Sequence, residues 1–349
     1  MKVLHAGSSM PTDWGGIERY VATLANAQAR SGDEVMVVAP AGSPLDTRCD
    51  VPTTDIILRR KFDLRALRRY LRLFRRHKFD VVVTHFSPDY VIPALAARLA
   101  GGGKTVLTRH LVEPFRRDRA LLYSRLYDGF LGVSRAAAGS LIDSGLPPDQ
   151  IRSVHGGCHP LTPHADRTLS RTYHGVRGFA VGYFGRLVTE KGVDVLIEAR
   201  RKATENWSVH VFGDGPEWSR LHRAAEGCDV TFHGRVDDVG SCMDAMDVVV
   251  LPSRWSEAFS IAALEALSIG KPIVASNVGG LPELFDVVQP GKLVVPGDAA
   301  NLAEAVDAYA RRPDDVSHDG QTGASLYCRE YTPMHMASRI RAAYLELIA

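Results

Sequence analysis

The sequence predicts an α/β protein with two domains, each built on a doubly wound parallel sheet. Three observations support this fold class. The chain has 349 residues, a length typical of two domains that each bury a core. Short apolar runs alternate with helical patterns along it. The first run, Val3–Ala6, leads into a glycine-containing loop, a helix that stops at Gly32, and a second run, Val35–Ala39, which is the order of a βαβ unit.

Composition indicates a globular protein and restricts its partners. Hydrophobic residues make up 45% of the chain and charged residues 23%, which argues against disorder. The net charge of +2 does not point to nucleic acid, and no nucleic-acid partner is predicted. Five scattered cysteines without a CxxC pair predict free thiols in a reducing cytosol. No apolar run approaches the roughly 20 residues that span a bilayer, so we expect a cytoplasmic protein, soluble or peripheral at the inner leaflet.

Glycines mark the first predicted loop. Gly15 and Gly16 precede a helix that carries Ile17, Tyr20 and Val21 on one stripe. Their spacing does not match the G-x-G-x-x-G fingerprint of dinucleotide-binding proteins. A tight turn and the close approach of a phosphate or sugar are equally compatible with these residues alone.

Histidines follow two later strands of the first domain. Strand Asp80–Thr84 ends at His85, and strand Lys104–Thr108 ends at Arg109 and His110. Open parallel sheets bind ligands at the carboxyl ends of their strands. We therefore expect His110, and more weakly His85, to line a ligand site, the alternative being a purely structural histidine.

The segment Arg59–Lys78 predicts a basic amphipathic helix. It carries ten Lys or Arg and one acid, Asp63. Apolar residues recur in it at roughly helical spacing, namely Phe62, Leu64, Leu67, Leu71 and Phe74. The helix could pack on the sheet with a solvated basic face, or dock on an anionic bilayer at about 1 kcal/mol per basic residue near the surface, and the two interpretations are compatible.

A polar, proline-containing stretch from Pro160 to Gly178 predicts the boundary between the domains. We expect domains at 1–170 and 171–332, followed by a helix at 333–349. The stretch His155–His159 just before it contains two histidines and a cysteine, but it has neither helical spacing nor a fourth ligand, so no metal site is predicted there.

The second domain is predicted to open with strand Phe179–Phe184 and the loop GRLVTEKG. This loop places Arg186 and Lys191 at a strand end. A diphosphate that gains charge as it leaves is stabilised by fixed cations of this kind. Two solvated surface cations are the alternative.

The stretch Leu251–Glu283 carries the strongest signal. After a buried strand it contains Glu257 in a loop and a helix, at about 260–269, that is apolar almost all round. Glu265 lies within that helix, where a carboxylate needs hydrogen-bond donors. The helix start attracts phosphate through free N–H groups and the helix dipole. Along this stretch the chain offers a hydrogen-bond acceptor at Glu257, a helix start that can hold an anion, and a second acceptor at Glu265. A sugar nucleotide presents its hexose, diphosphate and ribose in the same order.

These residues carry a family resemblance. Glu257, seven residues and Glu265, with Gly279-Gly280-x-Pro282-Glu283 beyond, resemble the E-x7-E region of retaining family 4 glycosyltransferases. The G-R-x-x-x-x-K-G loop resembles the donor-diphosphate loop of the same family. The resemblance implies the GT-B fold, that is, two Rossmann-like doubly wound parallel-sheet domains facing a central cleft.

The resemblance also implies roles for individual residues. The expected catalytic residues are His110, Arg186, Lys191 and Glu257. The expected donor-binding residues are Gly15, Gly16, Arg186, Lys191, Arg235, Val236, Phe259, Ser260, Ile261 and Glu265. His110 would face the hexose, Glu265 would bind the ribose, and backbone groups near Arg235 and Val236 would read the base.

The implied reaction is transfer of a hexosyl group from a nucleotide sugar, a UDP-sugar being favoured, with retention of configuration. The acceptor would be a glycan or a lipid-linked sugar of bacterial envelope polysaccharide or lipopolysaccharide synthesis, bound near the basic segment Arg109–Arg119. No cofactor and no metal are expected, and the chain contains no Asp-x-Asp sequence.

Three other functions were weighed. A hydrolase using Glu257 and Glu265 is disfavoured unless the loop that carries Glu257 folds back, because eight residues span about 12 Å if all are helical, whereas such acid pairs lie at most about 9.5 Å apart. A sugar-nucleotide epimerase shares the architecture and would release free nucleotide without an acceptor. A non-catalytic partner subunit of a glycan assembly complex would not bind nucleotide at all.

Overall fold

The computed structural model describes residues 1–8, 14–59, 63–163, 166–255 and 257–348. These residues form two compact units. The first comprises Met1–Cys158 together with Tyr331–Ala349, and the second comprises His159–Glu330.

The first unit contains a parallel sheet of seven strands in the described residues, in the order β3-β2-β1-β4-β5-β6-β7. The strands are β1 (Lys2–Ala6), β2 (Glu34–Val38), β3 (Thr53–Thr54), β4 (Val81–Thr84), β5 (Lys104–Arg109), β6 (Gly129–Gly132) and β7 (Ile151–Ser153). The helices are α1 (Gly16–Arg30), α2 (Pro44–Arg48), α3 (Leu64–Arg76), α4 (Ile92–Ala100), α5 (Arg117–Leu126) and α6 (Arg135–Asp143). Strand β1 pairs with β2 and β4, so the strand order reverses between β1 and β4.

The hydrophobic pattern explains this sheet. Strand β4 (VVVT) is buried throughout, and its β-branched side chains suit a strand that is covered on both faces. One core cluster includes Val82 with Tyr70 and Phe74 of α3. Another includes Phe130 of β6 with Tyr123 of α5.

Helix α3 shows which face of the basic segment packs. Asp63 caps it by accepting hydrogen bonds from the N–H groups of Arg65 and Ala66. The buried residues are Ala66, Tyr70 and Phe74, whereas Leu64 is 69% exposed. The predicted apolar stripe was therefore wrong at Leu64, because the packed row runs at intervals of four residues through Tyr70. Phe62 lies outside the described residues.

The second unit contains a parallel sheet of six strands in the described residues, in the order β10-β9-β8-β11-β12-β13. The strands are β8 (Phe179–Phe184), β9 (Trp207–Phe212), β10 (Val230–Gly234), β11 (Val248–Leu251), β12 (Ile273–Ser276) and β13 (Gly291–Val294). The helices are α7 (Arg167–Tyr173), α8 (Val193–Lys202), α9 (Trp218–Ala224), α10 (Val239–Asp244), α11 (Ile261–Ser268), α12 (Ala299–Arg311) and α13 (Pro313–Glu330). Its core joins the sheet to α8 and α12 around the buried Trp207.

Strand order also reverses in this second sheet. β8 pairs with β9 on one side and with β11 on the other. The loops that follow β8 and β11 therefore meet at the carboxyl edge of the sheet, at the point where open α/β sheets bind ligands.

The last helix, α14 (Pro333–Ile348), belongs to the first unit and packs on α1. The contacts divide the chain after Cys158 and after Glu330, whereas the sequence placed the boundaries after residues 170 and 332. The difference arises because α7 packs on α10 and the N–H of Leu161 donates to Ser268 Oγ, so this stretch belongs to the second unit.

No helix in the described ranges is long and apolar enough to span a membrane.

Candidate functional site

The loops after β8 and β11 bring together two residues that the sequence analysis had treated separately. Lys191 Nζ lies 2.5 Å from Glu257 Oε2, and Ser253 Oγ donates to the same carboxylate oxygen at 2.9 Å. The Glu257 side chain is only 9% exposed, whereas that of Lys191 is 33% exposed. The site therefore contains a nearly buried carboxylate with an accessible ammonium group beside it.

Glycines allow these loops to approach closely. Gly192, next to Lys191, has φ +66°, and a Cβ there would lie 2.0 Å from Pro252 O. Gly279 has φ +59°, and its Cβ would lie 1.9 Å from Glu257 O. The same carbonyl accepts a hydrogen bond from the N–H of Gly280 at 2.8 Å. The backbone at Glu257 is therefore fixed by neighbours that only glycine can provide.

Helix α11 begins directly beyond this pair. Ser260 caps it, with its hydroxyl oxygen accepting from the N–H of Ala263 at 3.3 Å. Phe259 and Ile261 are half-buried at the helix start, and Glu265 is 3% exposed. The start of α11, where the sequence predicts an anion cradle, is thus capped by Ser260.

Arg186 is exposed on a backbone that is held from several sides. Its carbonyl accepts a hydrogen bond from the Tyr183 hydroxyl at 2.8 Å. The N–H of Leu187 donates to Asp214 O at 2.9 Å. The loop after β8 is therefore rigid, while the guanidinium of Arg186 remains accessible.

Arg235 and Val236 follow the end strand β10. Arg235 is exposed and Val236 is half-buried. Gly234 O accepts a hydrogen bond from the N–H of Gly213 at 2.7 Å, which ties this loop to the one after β9. Both residues therefore lie at the carboxyl edge of the second sheet.

In the first unit, His110 ends a chain of buried hydrogen bonds. Gln28 Oε1 lies 2.7 Å from His5 Nε2, His5 Nδ1 lies 2.9 Å from His85 Nε2, and His85 Nδ1 lies 3.3 Å from His110 Nε2. These four residues are the histidine relay. The Tyr20 ring meets His110 edge-on, with centroids 4.7 Å apart.

Burial keeps the histidine relay neutral. It lowers the pKa of His5 to about 4, and it lowers the pKa of His85 well below 6.5. Burial, followed by the charge of Arg109, also lowers the pKa of His110. The Gln28 oxygen can only accept, so we assign the ring hydrogens to the Nε2 atoms, which leaves His110 Nδ1 as an acceptor.

His5, Gln28 and Ser253 were not predicted from the sequence. His5 lies inside an apolar strand, and Gln28 lies on a helix among ordinary polar residues. One signal could have revealed His5: the three histidines lie on or just after β1, β4 and β5, which are neighbours in the sheet.

The predicted glycine loop is described only in part. Residues 9–13 of it lie outside the described ranges. Gly15 precedes α1, and its N–H donates to Glu18 Oε2 at 3.1 Å, which satisfies one donor at the helix start. Gly16 is the first residue of α1.

No group of three or more His, Cys, Asp or Glu residues arranged to hold a metal occurs in the part of the chain that the structure describes. The stretch His155–His159 instead meets the chain before α14. The N–H of Cys158 donates to Tyr331 O at 3.1 Å, and a Cβ on Gly157 would lie 2.7 Å from the same carbonyl.

Comparison with protein families matches both halves of the chain. Residues 14–160 match the family described as Glycosyltransferase Family 4, and residues 178–312 match the family described as Glycosyl transferases group 1. Both family models describe glycosyltransferases, and each covers less than half of the chain. Each family match falls largely within one of the two units.

Two curated relatives differ in how much they share with this chain. It is 25% identical over 352 residues to the phosphatidyl-myo-inositol mannosyltransferase of Mycobacterium leprae, covering 95% of this chain and 92% of the relative. It is 35% identical over 153 residues to an exopolysaccharide phosphotransferase of Streptomyces coelicolor, covering 39% of this chain and 16% of the relative. The chain spans less than two thirds of the length of the first curated relatives it matches.

A solved structure shares the fold of this chain. Anabaena HepE, solved in complex with UDP and glucose, superposes with a TM-score of 0.85 at 21% identity, over 98% of both chains. The two Rossmann-like parallel-sheet domains predicted from the sequence are therefore confirmed.

Proposed function

We propose that this protein transfers a hexosyl group, with retention of configuration, from a nucleotide sugar to a glycan or lipid-linked acceptor. The observation that carries the proposal is the accessible Lys191 ammonium beside the nearly buried Glu257, at the point where strand order reverses and next to the start of α11. A UDP-sugar is the favoured donor. HepE, which shares the fold, has been solved with UDP-glucose.

In this proposal the donor diphosphate binds Arg186, Lys191 and the N–H groups at the start of α11. Glu257 holds Lys191 in place before the donor arrives, since their charged atoms are 2.5 Å apart. The diphosphate then shares the ammonium group, while the free lone pairs of Glu257 accept from hexose hydroxyls. Two cations and a helix start supply the charge that a metal ion would otherwise supply, so the reaction is proposed to need no metal.

The chemical step follows from this placement. The bond between the anomeric carbon and the diphosphate oxygen breaks as the acceptor oxygen bonds to the same face of that carbon. The acceptor proton passes to the departing phosphate oxygen, so charge and atoms balance. His110 accepts from a hexose hydroxyl through Nδ1 and remains neutral. Catalysis is therefore mostly positioning and electrostatics.

Glu265 is proposed to bind the ribose, and backbone groups at Arg235 and Val236 the base. Phe259, Ser260 and Ile261 would line the donor between them. Gly15 and Gly16 are also proposed to bind the donor. Because none of these roles depends on the identity of the acceptor, donor binding by substituted proteins can test them.

A donor screen tests the function. UDP-, GDP- and ADP-sugars are incubated with the protein and candidate acceptors, and nucleotide release and the anomeric configuration of the product are measured by NMR. We expect turnover with an acceptor and an α-linked product from an α-linked donor. Free nucleotide released at the same rate without acceptor would support an epimerase instead.

Two variants test the diphosphate site. Arg186→Ala and Lys191→Ala should each lower turnover by about 10²–10³-fold, because each removes one cation from the developing charge. The exposed Lys202→Ala, on α8 of the same unit, is the matched control and should keep full activity. Near-normal rates in both site variants, with folding verified by circular dichroism, would contradict the diphosphate assignment.

We further propose that the basic face of α3 contacts an anionic membrane that carries the acceptor. Arg68, Arg72 and Arg75 are exposed on this helix. Each should contribute roughly 1 kcal/mol to binding of phosphatidylglycerol vesicles, so the triple alanine variant should sediment with them far less than the unsubstituted protein. Equal sedimentation of the two proteins would contradict this proposal.

A further inference from the structure

A cavity in the first unit is not accounted for by the donor. It has a volume of about 510 Å³, within the range typical of small-molecule sites. Its walls come from the segment after β3, the turn after β4, the segment after β5, and α5. We call it the arginine cavity, because four arginines line it: Arg59, Arg109, Arg116 and Arg119.

Arg109 forms the buried part of this cavity. The residue is 5% exposed. Its Nη2 donates to Glu113 O at 2.5 Å, and its guanidinium carbon lies 4.2 Å from the centre of the Phe115 ring. Its buried Nε–H has no hydrogen-bond partner among the residues that the structure describes. A buried guanidinium with an unused donor is costly unless a ligand accepts from it.

The remaining walls combine positive charge with aromatic surface. The lining contains four arginines and one acid, Glu113, which leaves an excess of positive charge. The rings of Phe115 and Tyr123 pack edge-to-face, with centroids 4.9 Å apart. Such a lining recognises an anion attached to a ring that can stack.

The segment after β5 is held in place before any ligand binds. The N–H of Phe115 donates to Ser144 Oγ at 2.7 Å, and Ser140 Oγ donates to Leu111 O at 3.4 Å. Both serines belong to α6 or its end, so the loop is braced against a core helix. The arginine cavity is therefore preformed, which lowers the entropic cost of binding.

The arginine cavity adjoins the end of the histidine relay. A smaller cavity of about 200 Å³ is lined by His85 and His110. The two cavities share Ser87, Pro88 and Leu111 as walls. A molecule anchored in the arginine cavity can therefore extend a hydroxyl group towards His110.

We propose that the arginine cavity binds an acceptor that carries a phosphoryl group next to a sugar ring. The phosphoryl oxygens accept from Arg109 and Arg119, and the ring stacks on Phe115. The role of this ligand as an acceptor rests on the proposed transferase function, whereas binding of its phosphoryl group does not. A soluble sugar phosphate and a lipid-linked phosphosugar present the same chemistry to the cavity.

Calorimetric titration tests the proposal on the full chain with UDP present at saturation, which occupies the diphosphate site. The probes are glucose 1-phosphate, an alkyl-phosphate-linked glucose with a ten-carbon chain, and glucose. Both phosphorylated probes should bind at least about tenfold more tightly than glucose, since only they form charge-assisted hydrogen bonds. A further gain for the alkyl probe identifies the lipid-linked source, and equal affinity of the two identifies the soluble one.

The matched variants are Arg119→Ala, which lies at the cavity, and Arg125→Ala, which is exposed on the same helix away from it. Arg119→Ala should weaken the phosphorylated probes about tenfold and leave glucose unchanged. Arg109→Lys, which keeps the charge but loses the fork of donors, should weaken them as well. Arg125→Ala should bind like the unsubstituted protein.

The proposal is overturned if glucose binds as tightly as its phosphate, or if Arg119→Ala and Arg125→Ala give the same dissociation constants. Failure of the donor site is a separate result, because it appears as an absence of UDP binding when UDP is added before the probes. A chain that does not bind UDP but still distinguishes the two arginine variants would retain the cavity assignment and lose the transferase function.

Discussion

The carboxyl edges of the two sheets are built differently. In the second unit, Lys191 and Glu257 are held by backbone that glycines bring into contact, at Gly192 and Gly279. In the first unit, the corresponding edge is lined by side chains, namely the histidine relay and the arginine cavity. Backbone contacts therefore shape one candidate site, and side chains line the other.

This difference suggests two kinds of sensitivity to change. The proposed donor, with its diphosphate and ribose, requires hydrogen-bond donors and acceptors at fixed distances, and loops that touch through their backbones would provide them at little entropic cost. A cavity lined by side chains can be altered by substitution without moving the chain. We therefore expect the second unit to lose function through substitutions that move its backbone. We expect the first unit to lose function through substitutions that change the polarity of its side chains.

Among the changes that test this comparison, the largest effect is expected from Gly279→Ala. A Cβ at φ +59° and 1.9 Å from Glu257 O forces the loop to move. We expect a loss of about 1–3 kcal/mol in the free energy of unfolding, and about a 10²-fold loss of turnover because Glu257 shifts. Chemical denaturation and nucleotide-release kinetics measure the two quantities. Unchanged values would show that backbone contact does not fix this site.

A smaller effect is expected from Gln28→Met in the first unit. The substitution keeps the side-chain volume but removes the acceptor for His5 Nε2–H. Nothing then fixes which ring nitrogen of each histidine in the relay carries the hydrogen. We expect kcat to fall about tenfold with little change in KM, if His110 acts as proposed. Asn26→Leu on the same helix removes a different buried polar contact, with the N–H of Asp50. A similar loss of kcat in that control would indicate that the histidine relay has only a structural role.

Acid should destabilise the protein through its buried histidines. Burial lowers the pKa of His5 to about 4, whereas unfolding returns it to about 6.5. The unfolded chain therefore binds more protons between these values, and the stabilisation present above pH 6.5 is lost as the pH falls towards 4. The pKa values of His210 and His233 in the second unit are also lowered to about 4 by burial.

Thermal melts between pH 7 and pH 4.5 measure this loss as a falling Tm. His5→Asn should make the dependence of Tm on pH shallower, because one titrating group is removed. His335→Asn, at an exposed position of α14, should leave the slope as it is. Equal slopes in all three proteins would exclude His5 as a source of the acid sensitivity.

The smallest effect is a gain. Gly139 lies inside α6, and a Cβ there would meet nothing within 4 Å. Gly139→Ala should stabilise the protein by about 0.5–1 kcal/mol by restricting the unfolded chain. Comparison of Gly139→Ala with Gly279→Ala distinguishes a glycine that the backbone conformation requires from one that it does not. Destabilisation of similar size in both would contradict that distinction.

Much of the fold was predictable because its signals are local. Runs such as Val81–Thr84 and Val248–Leu251 are apolar throughout, and each is followed by polar loop residues, as expected for buried parallel strands. Strand β3 could not be predicted, because two residues carry no periodicity. Helix α13 was missed because it contains Gly320, which allows its backbone to approach Gly270 O closely.

The candidate site was predictable only residue by residue. Lys191 and Glu257 were each identified from their own loops, but they are 66 residues apart in sequence. Their ion pair depends on β8 lying beside β11, which is a property of strand order. The histidine relay likewise required β1, β4 and β5 to be neighbours in the sheet.

The chain leaves the first unit after Cys158 and returns to it at Tyr331, where the Cys158 N–H donates to Tyr331 O. During synthesis on a ribosome, α14 therefore emerges only after all of 159–330. The first unit lacks the cover that α14 gives to α1 until that helix has been made, whereas the second unit is continuous in sequence. We therefore expect the second unit to complete its core before the first, although its residues are translated later.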